Sequence, residues 1–129
     1  MGKISCFYYV TESNKSPVRD FIDSLDARSQ RKFFFVKTLL EEFGNRLPQP
    51  HAKYIEDGIF ELRFYGQEGS IRILYFFFLN DKVIFTNGFI KKTEKVPQRE
   101  KILAGERKMA FLESQNNLPR GGHNASRES

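Results

Sequence analysis

Three apolar runs separated by two very short polar breaks restrict this fold more than anything else in the chain. The runs are "IFELRFY" (59–65), "SIRILYFFFL" (70–79) and "KVIFTNGFI" (82–90), rich in β-branched and aromatic residues; the breaks are "GQEG" (66–69) and "ND" (80–81). Breaks of that length connect neighbouring strands as antiparallel hairpins. The first run alternates cleanly, with Phe60, Leu62 and Phe64 on one side and Glu61, Arg63 and Tyr65 on the other, as a strand with one buried face requires.

Short turns also set the register. With Gln67 and Glu68 as a two-residue loop, Gly66 pairs with Gly69 and Arg63 falls opposite Arg72. With Asn80 and Asp81 as the next loop, Arg72 faces Phe89, and Lys91 follows one same-face step along. The core face then holds Phe60, Leu62, Phe64, Ile71, Ile73, Phe77, Ile84 and Ile90, and the other holds Glu61, Arg63, Tyr65, Arg72, Asn87, Phe89 and Lys91. A slip of one residue would exchange the two faces. Like charges directly opposed in a sheet are unfavourable, so the Arg63–Arg72 pair beside Lys91 predicts an anion between them.

The remaining segments read as follows. Residues 4–10 form a first strand. A helix starts at Ser16, the N-cap, and Pro17, its first residue, with Val18, Phe21, Ile22 and Leu25 on one face. A second starts after Asp26, buries Phe33, Val36, Leu40 and Phe43, and stops at Gly44. Residues 45–58, with two prolines and a glycine, are expected to be a loop. Pro97 opens a last helix whose Ile102, Gly105, Met109 and Leu112 share a face. The expected architecture is α+β: a small antiparallel sheet with an N-terminal helical hairpin on one face and a C-terminal helix. One domain covers residues 1–112, and the polar stretch 113–129 is expected to be a disordered tail.

Charge adds a functional constraint. The chain of 129 residues carries +5 overall, and residues 87–112 hold seven Lys or Arg against three Glu, a net of +4. An acidic partner follows from this concentration. Tyr65 and Phe89 among the cations suit single-stranded RNA, gripped by stacked bases and paired phosphates, although packing under the last helix is the stronger expectation for Phe89. Cys6 is the sole cysteine, and His51 and His123 lack ligand spacing, so neither a disulfide framework nor a metal site is expected. His51 reads as a surface residue. The start has no h-region, and the run "ILYFFFL" is too short to cross a bilayer. The expectation is a soluble cytoplasmic protein without a membrane partner.

The segments "KYIEDGIFELRF", "IRILYFF" and "NDKVIFTNGFIKKTEKVPQREKILAGERK", in this order, resemble the HigB branch of the RelE-like toxins of bacterial toxin–antitoxin systems, including phage-derived members. The resemblance implies a RelE-like sheet flanked by helices and an mRNA interferase. Such toxins enter the ribosomal A site and cleave bound mRNA without metal or other cofactor. They are neutralised in a hetero-oligomer by an antitoxin that commonly has a helix-turn-helix domain. Carried onto this chain, the family's basic site falls on Arg63, Arg72, Lys91 and Lys92, with Lys53 and Lys95 as secondary matches. Tyr65, Asn87, Phe89 and Arg99 join these as candidate substrate contacts.

Metal-free cleavage needs a base for the 2′-hydroxyl, cations for the charge growing on phosphorus, and an acid for the leaving 5′-oxygen. Arg72 and Arg63 suit charge stabilisation, because a planar guanidinium matches phosphate oxygens. Lys91 and Lys92 suit proton transfer or phosphate clamping, since a lysine crowded by cations loses its proton more readily. The acid is unassigned: Asn87 stands where many relatives carry histidine, and no tyrosine follows "KKT". Two other functions fit the same scaffold: a non-catalytic inhibitor of DNA gyrase like the ParE relatives, and a basic module that binds free RNA or an acidic protein.

Overall fold

The computed structural model describes residues 3–117 and the backbone of residues 125–127. Strand β1 (Ser5–Tyr9) leads into α1 (Pro17–Asp23) and α2 (Ala27–Phe43), followed by β2 (Ala52–Glu56), β3 (Ile59–Gly66), β4 (Gly69–Phe78) and β5 (Lys82–Lys91). Helix α3 (Gln98–Asn117) and a short β6 (Ala125–Arg127) complete the chain. The strands form one sheet in the order β2-β3-β4-β5-β1-β6. The α+β class is as expected, with two departures in the sheet. Strand β1 runs parallel to β5, joining it after a long crossover, whereas the hairpins are antiparallel. Strand β2 occupies part of the expected loop; as an edge strand with mostly exposed side chains it needs no apolar run.

The β3–β4 turn is the predicted one: Gly66 pairs with Gly69, and Arg63 with Arg72. The β4–β5 hairpin reaches the expected pairing of Arg72 with Phe89 by another route. Its loop has three residues, since Phe78 pairs with Lys82, and the register shifts back where Leu74 pairs with Asn87 but Tyr75 with Phe85. Thr86 is the extra residue, a β-bulge, and its hydroxyl donates to the Leu74 carbonyl at 3.2 Å. The added loop residue and the bulge cancel at Arg72, but between them the faces are exchanged. Ile84, expected beneath the helical hairpin, therefore packs on the α3 side.

One core lies between the sheet and α1–α2, with Leu62, Phe64, Ile71, Ile73 and Phe85 against Val18, Ile22, Phe33, Val36 and Leu40. Asp26 caps α2 as predicted, accepting from the Ser29 amide at 2.8 Å. Ser16 occupies the N-cap position of α1 without a capping side-chain bond, and Phe43 is largely exposed. The β3–β4 turn is tied to α2 by Glu68, which accepts from the Asp26 amide at 2.7 Å and the Ser29 hydroxyl at 2.6 Å. Gly66 lies so close to that hydroxyl that a Cβ would not fit.

Helix α3 covers part of the opposite face through the side its apolar pattern did not indicate. Ala104 and Phe111 are buried, whereas Ile102 and Met109 are exposed. Polar contacts set this rotation. The Asn87 amide donates to the Glu100 carbonyl at 3.2 Å and to its Oε1 at 2.9 Å, and Arg107 Nη1 donates to the bulge carbonyl of Thr86 at 2.8 Å. The Phe111 ring then meets Phe78 and Phe76, with centroids 5.0 and 5.7 Å away. The helix runs five residues past the expected domain end at 112, since "ESQNN" holds no glycine or proline to stop it. Strand β6 also falls inside the expected tail, paired with β1; residues 118–124 and 128–129 of that stretch lie outside the described residues. Among the described residues, no helix is long and apolar enough to cross a membrane.

Candidate functional site

The central hairpins assemble a row of polar side chains on the α3 side of the sheet. Tyr65 on β3 pairs with Ser70 on β4, and Ser70 pairs with Lys91 on β5. One same-face step inward Arg63 pairs with Arg72, and one step further Glu61 pairs with Lys53 on β2. Helix α3 meets the sheet at Thr86, Asn87, Phe76 and Phe78. The Tyr65–Ser70–Lys91 end remains open enough for Tyr65 to be 58% exposed.

The electrostatics favour an anion. Arg72 and Glu61 are only 3% and 2% exposed, and Arg72 Nε lies 3.1 Å from Glu61 Oε1. That separation is an ion pair, but the N–H does not point along it, so neither atom completes a directed hydrogen bond. Arg72 Nη1 and Arg63 Nε are likewise buried without a hydrogen-bond partner among the described residues. Buried guanidinium donors in this state are costly unless an acceptor reaches them. Glu61, Lys53, Arg63 and Arg72 all lie close enough to act electrostatically on Lys91.

Two titrations are displaced. Burial lowers the Lys91 pKa most; Glu61 opposes the shift, and Arg72, Arg63 and Lys53 reinforce it. For Tyr65, a hydrogen bond and the charge of Arg72 lower the phenol most, with further help from Ser70 and Arg63 and slight opposition from burial. The Arg72 guanidinium carbon lies 5.8 Å from the centroid of the Tyr65 ring.

The structure thus brings together Arg63, Arg72, Lys91, Lys53 and Tyr65. Lys92, Lys95 and Arg99 lie nearby in sequence on the segment into α3, exposed to solvent, with Arg99 Nε 3.8 Å from Glu100 Oε2. Two candidates are not positioned to touch a substrate. Asn87 is buried and committed to Glu100, and Phe89 is buried in the α3-side core. The docking of α3 onto this face puts both beneath that helix. His51 is half-buried before β2, with its carbonyl accepting from the Arg63 amide at 2.8 Å.

Sequence reasoning missed Glu61 as the partner of Arg72 and Ser70 as a neighbour of the site. The signal was in the register. With Arg63 opposite Arg72 and Glu61 opposite Leu74, Glu61 and Arg72 are diagonal same-face neighbours, within reach of long side chains. Among the described residues, no group of three or more His, Cys, Asp or Glu is placed to hold a metal ion.

No curated protein matches the chain. The family model described as "Phage derived protein Gp49-like (DUF891)" matches residues 20–109. Because the match takes in most of the chain, including every strand that carries the cationic face, this protein belongs to the phage-derived Gp49-like family.

Proposed function

We propose that this protein is the toxin of a type II toxin–antitoxin pair and acts as a metal-independent endoribonuclease on ribosome-bound mRNA, blocking translation in the cytoplasm. Membership of the Gp49-like family, which is associated with RelE/HigB-like toxins, supports the toxin role. The observation that carries the nuclease reading is the register that gathers Arg63, Arg72, Lys53 and Lys91 around the Glu61 carboxylate on one sheet face. A phosphodiester laid across β3, β4 and β5 meets the field of these four cations, which the charge of Glu61 offsets only in part. The partner that neutralises it is an antitoxin, of the helix-turn-helix kind that the resemblance implies.

In this reading a neutral Lys91 takes the 2′-hydroxyl proton, and the freed oxygen attacks the adjacent phosphorus. Its lowered pKa raises the neutral fraction at working pH. Arg63 meets the phosphoryl oxygens as charge accumulates, and Arg72, buried beneath, adds its positive charge to the field there. Glu61 holds Arg72 in place beneath the site. Lys53, Lys92, Lys95 and Arg99 neutralise flanking phosphates.

The test is cleavage of a defined mRNA in programmed ribosomes. The wild-type protein is expected to cut it, and Arg63→Ala to cut at least ~100-fold more slowly with an unchanged melting temperature. Intact mRNA in the presence of wild-type protein would overturn the reading. Inhibition of gyrase supercoiling would then favour a ParE-like role. Salt-sensitive RNA binding without cleavage would favour a binding module.

A further inference from the structure

We propose that Tyr65 is the general acid of the cleavage, donating its phenolic proton to the departing 5′-oxygen from the strand opposite the one that carries the base. This rests on the ribonuclease reading above. It fills a role that the buried, Glu100-bound Asn87 cannot fill.

The sheet register carries the inference. An in-line displacement puts the attacking 2′-oxygen and the leaving 5′-oxygen on opposite sides of phosphorus, so base and acid must flank it. Tyr65 pairs with Ser70, and Ser70 with Lys91, which places phenol and amine on the two strands either side of β4. At a strand spacing of ~4.8 Å, their backbones stand about 10 Å apart, room for one phosphodiester linkage between their side chains. Arg72, one same-face step along β4 from Ser70, is the cation between them. Between them β4 contributes the small side chain of Ser70, whose hydroxyl is covered. Tyr65 is exposed, whereas Phe76 and Phe89, aromatics of the same face, are buried.

The proton inventory closes. The O2′–H proton passes to Lys91 Nζ as the O2′–P bond forms. The P–O5′ bond breaks with its electron pair on O5′, which takes the proton from Tyr65 Oη. The products are a 2′,3′-cyclic phosphate and a 5′-hydroxyl. The tyrosinate left behind faces Arg72 and Arg63, the cations that favour it, and water returns the proton. The same cations make the phenol a stronger donor than an ordinary tyrosine.

Tyr65→Phe tests this, because it keeps the ring for stacking and removes only the proton. On ribosome-bound mRNA the variant is expected to lose ~100-fold or more in kcat with little change in KM. A synthetic mRNA with sulfur in place of the scissile 5′-oxygen has a leaving group that needs no proton; the variant should cut it at close to the wild-type rate. The fall in rate as pH rises through the Tyr65 pKa, below the ordinary 10.0, should vanish in the variant. Wild-type cleavage of the natural mRNA by Tyr65→Phe would overturn the assignment, as would a slow variant that the sulfur substrate does not rescue. Failure of the wild-type protein to cut either substrate would instead overturn the ribonuclease reading and this assignment together.

Discussion

Nε of Arg72 lies 3.1 Å from Oε1 of Glu61 with both side chains almost fully buried, so the central cation of the site is also a structural ion pair. Removing one partner strands the other in a low-dielectric setting. Arg72→Ala should therefore cost about 3–5 kcal/mol in urea unfolding, apart from any effect on activity. The double variant Arg72→Met with Glu61→Leu should recover most of that loss while remaining inactive, since well-packed apolar groups can replace a buried pair. If Arg72→Ala unfolds at the wild-type urea concentration, Glu61 is not the buried charge described here.

Lys91 carries the opposite trade. Its folded pKa lies below the ordinary 10.5, so below the folded value both states are protonated and its unfavourable setting is felt in full. As pH rises through the folded value toward 10.5, the unfolded chain holds more protons and stability rises. Lys91→Met should thus be at least as stable as wild type at pH ~7, with its advantage shrinking in alkali. Both Lys91→Met and Lys91→Arg should lose ~100-fold or more in cleavage rate, because a guanidinium keeps the charge but not the base. A fully active Lys91→Arg variant would assign the base elsewhere.

Glu68 and Asp26 link the β3–β4 turn to the start of α2, and both carboxyls are held below their ordinary pKa by hydrogen bonds from this junction. The sign follows from the depression. The stabilisation is present above the unfolded values, near 4.5 for Glu68 and 3.8 for Asp26, and is lost as pH falls through the folded ones. Glu68→Gln should lower the melting temperature at neutral pH, with the gap closing on acidification. Thermal melts across an acid series check this; a gap that widens in acid would contradict it.

Two glycines should respond in opposite directions to alanine. At Gly88 a Cβ would lie 2.5 Å from Phe21 Cδ2 and 2.8 Å from Ile73 Cδ1, where α1 packs onto β5. Gly88→Ala should destabilise by roughly 1–3 kcal/mol through overpacking. At Gly105 nothing lies within 4 Å of a Cβ. Gly105→Ala should stabilise α3 by about 0.5–1 kcal/mol without touching activity. Chemical unfolding of both variants measures these differences.

Local patterning determined much of this protein: three strands joined by tight turns, the Asp26-capped helix, and one sheet face crowded with Arg63, Tyr65, Arg72 and Lys91. Period-two alternation and turn chemistry act over a few residues, and so they are legible without coordinates. Packing between distant segments decided the rest. The bulge at Thr86 offset a loop one residue longer than expected, preserving the pairing at Arg72 while moving Ile84 to the other core. The rotation of α3 came from Asn87, Glu100 and Arg107, polar groups whose partners lie on another element, so its apolar residues pointed to the wrong face. Whether a guanidinium stands open or is held by an acid likewise depends on contacts between strands. Alternation could place Arg72 on its face, but only the assembled sheet buried it against Glu61.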